Sequence, residues 1–255
     1  TRAPTPVAGG PGGVVQVSDT VRPLVAVDSS ELPEAMVVVG DPGRAERAAQ
    51  LLDSPRLLGH NREYVSYVGT YRGSTVGVIS HGVGAPGAAA CFEELFRGGV
   101  RRVVRAGTAG GMQPSVTDGD LVVATAAVRA DGYTDGVVPK GFPAVADRGL
   151  SSALVEAAGD AHEGIVLTSA VFYPHQVLGS DLEMWQRAGV VAVEMECAAL
   201  FVTASLHGAA AGAILAIDGN PLAQGDADME GYDPHRDIVK EATERAVRAA
   251  FTALV

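Results

Sequence analysis

Residues 105–111 read Arg-Ala-Gly-Thr-Ala-Gly-Gly and gather a guanidinium, a hydroxyl and glycine amides, the donor set that an oxyanion such as phosphate requires. Arg105 closes an apolar run, RVVRA at 102–106, where a charge needs either a ligand or an ion-pair partner. The chain holds 30 acidic residues, so a paired arginine accounts for Arg105 as well as a ligand does. Gly40-Asp41-Pro42-Gly43-Arg44 leaves a second apolar run and opens a predicted helix. Glycine lets amides approach an anion, a helix N-terminus favours negative charge, and Arg44 adds a forked donor. Taken alone, that segment is better accounted for as an ordinary turn carrying a surface arginine.

Two further segments carry carboxylates. Glu194 and Glu196 flank Met195 between VVAV and CAALFV. Carboxylates accept hydrogen bonds from vicinal hydroxyls, and methionine gives a soft apolar wall for a sugar face. A lone acidic pair usually marks a solvated helix start, but these apolar flanks point to burial. Asp218 closes the run AILAI, where burial would raise a carboxyl towards useful acid strength. The following Gly219-Asn220-Pro221 also suits a plain turn.

Other chemistries find less support. Gly82-Val83-Gly84-Ala85-Pro86-Gly87 matches GxGxxG after an apolar run. It does not follow the first strand, and Arg101, Arg102 and Arg105 stand where a dinucleotide site needs an acid for the ribose. The histidines show no ligand spacing, and Cys91 and Cys197 sit singly in apolar stretches, so no metal site is expected.

The elements that must position these residues alternate along the chain. Strands are predicted at 35–39, 75–80, 102–106, 120–127, 164–170, 190–194 and 211–217. Helices are predicted at 43–53, 86–98, 150–160, 180–188, 196–207 and 235–254, the last with a core-facing stripe from Ile238 to Leu254. The fold class is α/β, one domain over 14–255, with a central, mostly parallel mixed sheet covered by helices. Residues 1–13 read as a disordered tail, and 219–234 as a long mobile loop. DPGR, HGVGAPG, GTAGG, FYPHQ, EME and DGN each follow a predicted strand, so all six are expected to line one pocket. A net charge of −11 argues against a nucleic-acid partner. With no apolar run of spanning length and no signal peptide, a soluble cytoplasmic protein without a membrane partner is expected.

In this order the segments resemble the hexameric nucleoside phosphorylase family, and within it uridine phosphorylase more than purine nucleoside phosphorylase. The likeness covers roughly residues 19–255 and rests on VVVGDPGRAERAAQLLD, HNREYVSY, RAGTAGGMQPSVTDGDLVVATAAVRADG, FPAVAD, FYPHQ and VEMECAAL. It implies the nucleoside phosphorylase fold and a pentosyltransferase that cleaves a nucleoside with phosphate into free base and ribose 1-phosphate. Inorganic phosphate is then the co-substrate and no organic or redox cofactor is needed; a monovalent cation near Glu63 occurs in some relatives. By the resemblance, Gly40, Arg44, Arg105 and Thr108 match the phosphate site, with Arg62 reaching it from a neighbouring subunit. Glu194, Met195 and Glu196 match the ribose site, and Phe172 and Gln176 the base site. Family members are homo-oligomers, hexamers built from dimers.

Three departures bear on the base. Leu178 replaces an arginine of uridine phosphorylases two residues after Gln176, and the next segment is shortened, passing quickly to SDLEMWQ. The family's N-terminal histidine has no counterpart, Arg22 and Leu24 being nearest. Asp218 stands where purine nucleoside phosphorylases, unlike uridine phosphorylases, place an acid; their downstream arginine partner has no match in MEGYDP. A purine nucleoside is therefore expected, with Asp218, Arg105 and Thr108 catalytic. Uridine phosphorolysis, a nucleoside hydrolase and a non-catalytic nucleoside-binding relative are the alternatives.

Overall fold

The structure, a computed structural model, describes residues 21–222, 233 and 236–255. The expected tail at 1–13 and most of the expected loop at 219–234 lie outside the described residues.

The chain opens with a short hairpin, β1 (Val21–Arg22) and β2 (Val27–Asp28). Then come β3 (Ala35–Val39), α1 (Pro42–Ala49), β4 (Asp53–Asn61), β5 (Tyr64–Tyr71), β6 (Ser74–Ser80) and α2 (Ala85–Arg97). β7 (Arg102–Gly111), β8 (Leu121–Ala130), β9 (Ala144–Val145), α3 (Arg148–Ala158) and β10 (His162–Ser169) follow. The last elements are α4 (Leu182–Arg187), β11 (Ala192–Glu194), α5 (Cys197–Leu206), β12 (Ala210–Gly219) and α6 (Asp237–Leu254).

One mixed sheet runs in the order β4-β5-β6-β3-β7-β12-β8-β10-β11, with β9 beside β8. β6, β3, β7 and β12 are mutually parallel neighbours. β12 meets β8 antiparallel, so β8, β10 and β11 run the other way. β11 then pairs antiparallel with the end of β7, Val193 opposite Gly110. This closes β7, β12, β8, β10 and β11 into a ring.

Helices cover both faces. Phe92 and Phe96 of α2 and Phe201 of α5 fill one core. Ala45 of α1, Leu154 of α3 and the α6 stripe from Ala242 to Leu254 fill the other, while Ile238, expected in that stripe, is half exposed. Phe251 is fully buried and stacks on Tyr71 at 5.3 Å between centroids. Residues 197–204 of α5 are buried on every side, which its unbroken apolar sequence allows.

Five strands escape the sequence reading, the two-residue β1, β2 and β9 and the adjacent pair β4 and β5, and a sixth, β7, is longer than expected. Residues 53–61 form β4, although 43–53 reads as one helix and nothing in 54–61 alternates. β4 is a largely exposed edge holding Pro55, and its register with β5 shifts twice; bulges and proline are tolerated at an edge and erase the period-two pattern. The length of β7 puts Thr108 and its flanking glycines in a strand and not in a loop.

Candidate active site

One cavity of about 990 Å³ opens where β3, β6, β7 and β12 end, at the upper end of the usual 300–1,000 Å³ for ligand sites. All six strand-end segments contribute to its lining. The expected reason, a shared carboxyl edge, holds for the parallel strands only. The segments after β10 and β11 come from strands of opposite direction and arrive because β11 folds back onto the end of β7.

β7 makes the floor. Its neighbour β3 stops pairing at Val38 opposite Arg105, and β7 continues beyond as an overhang. Arg105 projects from the start of this overhang and is 3% exposed. Its guanidinium curls over Gly107: a Cβ there would lie 2.7 Å from Cζ and Nη1. Glycine at 107 is therefore needed for the arginine to fit.

Arg105 is held from three sides. Nε donates to Glu194 Oε2 at 3.2 Å, and Nη2 is ion-paired to Glu194 Oε2 at 3.2 Å and to Glu196 Oε2 at 2.5 Å. Nη1 lies 3.1 Å from His81 Nε2. Burial alone would lower the arginine's pKa, but Glu196 and then Glu194 outweigh it and hold the group charged, above its ordinary value. Glu196 is raised, because lost hydration and then the charge of Glu194 outweigh Arg105.

Glu194 has little left for a sugar. Thr168 Oγ1 donates to its Oε1 at 2.6 Å, and the amides of Glu196 and Cys197 also donate to it. The expected ribose ligand is, in this geometry, the counter-ion that fixes Arg105. Glu196 accepts from the Gly84 amide at 2.5 Å and lines the cavity beside Met195.

Arg44 rises from the first turn of α1. Asp41 caps that helix, accepting from the Arg44 amide at 2.8 Å, and pairs with Arg44 Nε at 3.2 Å. The helix N-terminus thus already has a carboxylate. The Arg44 guanidinium lies over Gly40, whose missing Cβ would be 3.7 Å from Nη1. Burial, then the positive charge of Arg105, lower its pKa; Asp41 and Asp218 oppose this. Arg44, Arg105, Thr108 and Gly40 all line the cavity.

Asp218, at the end of β12, also lines the cavity and is 5% exposed. The β12–β7 register shifts between Ile217 and Gly219, so Asp218 is the extra residue of a bulge, a device that re-aims a side chain. A downstream arginine, lying outside MEGYDP, reaches the backbone of this residue. Arg236, just before α6, donates from Nη2 to the Asp218 carbonyl at 2.8 Å and pairs with Asp118 Oδ2 at 2.5 Å.

Residues 171–181 form an exposed wall. Phe172 and Tyr173 meet edge to face at 4.9 Å and line the cavity, as does Leu178, 96% exposed. Gln176, expected at the base, is exposed and does not line it. Arg62 does not line it either. It is exposed at the tip of the β4–β5 hairpin, with φ of 55°. Arg22 and Leu24 do not line the cavity, and the Leu24 amide donates to Glu94 on α2.

His81 is the residue that sequence reasoning missed. Searching histidines for metal spacing overlooks one that directly follows a strand and enters the core. It is fully buried, and that burial, then Arg105, hold its pKa well below the ordinary value. No cluster among the described residues is suited to a metal, and no described helix is long and apolar enough to cross a membrane.

Residues 34–254 match the family model described as the phosphorylase superfamily. The chain is 36% identical over 232 residues to a purine nucleoside phosphorylase of Plasmodium vivax, covering 89% of this chain and 93% of the relative. It is 37% identical over 245 residues to a uridine phosphorylase of Treponema pallidum, covering 90% and 92%. The solved purine nucleoside phosphorylase of Toxoplasma gondii with immucillin-H superposes with a TM-score of 0.88 at 32% identity, covering 94% and 97%.

Proposed function

The chain belongs to the phosphorylase superfamily, and we propose from that premise that it cleaves a purine nucleoside with inorganic phosphate, releasing the base and ribose 1-phosphate. One observation carries the choice of base: Asp218, buried on its bulge, lines the same cavity as Arg44, Arg105 and Thr108. Gln176 lies outside that cavity and Leu178 has no polar group, which weakens a uracil clamp.

Phosphate is held by Arg44, Arg105, Thr108 and Gly40 and faces C1′ of the sugar. Glu196 takes the ribose hydroxyls, and Met195 packs on the ring. The C1′–N9 bond breaks, its electron pair leaves with the base, Asp218 gives its proton to N7, and a phosphate oxygen bonds to C1′. The arginines act by orientation and charge. We further propose that neighbouring copies complete the site, as in a hexamer built from dimers, with Arg62 lent across the interface. The outward Arg62 and the exposed apolar wall of Val171, Val177 and Leu178 support this.

The test compares base release from inosine and uridine, with and without phosphate. Inosine cleavage that needs phosphate, and that D218N slows by roughly two to four orders of magnitude, is expected. Efficient uridine cleavage indifferent to D218N would overturn the purine reading, and release of free ribose without phosphate would overturn phosphorolysis.

A further inference from the structure

We propose that His81 is a positioning residue for phosphate binding: a neutral imidazole that fixes the free edge of Arg105. The proposal rests on the reading of Arg105 as a phosphate ligand.

His81 extends the β6–β3 ladder by one step, its amide donating to the Val39 carbonyl at 2.9 Å. The ring meets Phe92 edge-on at 5.5 Å between centroids. Nδ1 lies 2.7 Å from the Gly82 carbonyl, and Nε2 lies 3.1 Å from Arg105 Nη1. A carbonyl can only accept and a guanidinium can only donate. The imidazole proton must therefore sit on Nδ1, and Nε2 must accept from the arginine. No other protonation state satisfies both contacts, since an imidazolium would set N–H against N–H.

The contacts close a circuit. Gly82 binds His81, His81 binds Arg105, Arg105 binds Glu196, and Glu196 accepts from Gly84, two residues from Gly82. Gly82 and Gly84 both hold left-handed φ values, 77° and 89°, so the turn itself is specified. Within this circuit Glu194 and Glu196 hold the Nε and Nη2 edge of the guanidinium. His81 alone among the contacts described holds Nη1, using one of its two hydrogens and leaving the other for a ligand. Without His81 the arginine would still be neutralised by its carboxylates, but its remaining donor would no longer be aimed.

The experiment measures KM for phosphate and for the nucleoside separately, using whichever of inosine or uridine the wild-type enzyme cleaves. H81L should raise the phosphate KM by roughly ten- to a hundredfold, the usual size of a lost hydrogen bond to a charged group. The nucleoside KM should stay within about threefold, well inside the same scale. H81Q, whose amide oxygen reaches the Nε2 position, should recover most of the loss. If H81L does not fold, H81N replaces it, because asparagine reaches only the Nδ1 position. An unchanged phosphate KM in the folded variant would overturn the proposal. So would an equal rise in both KM values that H81Q does not rescue, the mark of a merely structural residue. R105Q separates the two layers: if it leaves the phosphate KM unchanged, the reading of Arg105 fails, whatever His81 does.

Discussion

Gly107→Ala places one methyl group where the Arg105 guanidinium lies. The new Cβ would sit 2.7 Å from Cζ and Nη1 and 2.9 Å from Nη2. Ordinary carbon contact begins near ~3.5 Å, so the guanidinium must retreat by roughly 0.8 Å. The group is buried and bonded on three sides, so it has no slack; that movement breaks at least one contact to Glu194, Glu196 or His81. A hydrogen bond to a charged group is worth about 1.5–3 kcal/mol, and a misplacement near 1 Å at a catalytic site costs about a hundredfold in rate. Initial rates across phosphate concentrations should show kcat/KM for phosphate falling about a hundredfold. Thermal melting run alongside reports whether the fold survives. A G107A enzyme with wild-type kcat/KM would refute the reasoning, because Arg105 would then be displaced without consequence.

Glu194→Gln should destabilise the fold by about 1.5–3 kcal/mol, the worth of a hydrogen bond to a charged group, because Glu196 still pairs with the guanidinium; a loss below about 0.5 kcal/mol in urea unfolding would contradict its role in fixing Arg105. Stability should also depend on pH through His81. Its folded pKa is depressed well below the ordinary 6.5, so as pH falls below about 6.5 the unfolded chain takes up a proton that the fold refuses, and stability drops. The contribution is complete above that pH, and H81Q should flatten the slope between pH 6.5 and 5; identical slopes would remove His81 as the cause. Finally, inactive Arg62→Ala chains mixed with inactive Glu196→Ala chains should regain activity, because mixed interfaces pair an intact pocket with an intact arginine. No recovery after subunit exchange, or a fully active monomer in sedimentation, would count against a shared site.

What the sequence discloses follows from how locally each feature is encoded. β3 reads directly because AMVVV is buried at every position, and the α6 stripe reads because its apolar residues recur at helical spacing. The strand-end segments are legible for the same reason: glycine and charge interrupt apolar runs. Pairings are another matter. Arg105 and Glu194 are 89 residues apart, and Arg236 and Asp118 are 118 apart, so residue type alone cannot say which acid meets which base. The sequence leaves Arg105 open between ligand and ion pair, and the fold makes it a partner of Glu194, Glu196 and His81 while leaving it at the cavity wall. β4 is hidden because an exposed, bulged edge has no period to show.

The charge balance of one chain bears on the proposed role of Arg62. Arg44 and Arg105 are the cations of the proposed phosphate site, and each is already paired, with Asp41 and with Glu194 and Glu196; Arg236, which also lines the cavity, is paired with Asp118. A phosphate dianion entering a single chain therefore meets more negative than positive charge, in surroundings where charge is poorly screened. The two arginines can orient the anion through donors left over from their pairs, but they do not neutralise it. A third cation from outside the chain offsets that deficit. Arg62 is suited to supply it: it stands exposed on a hairpin tip whose next residue, Glu63, packs against Gly82 at the rim of the cavity. The same imbalance explains why the guanidinium of Arg105 has to be aimed and not merely present. Where net attraction is weak, the direction of each remaining donor decides whether phosphate is held in line with C1′.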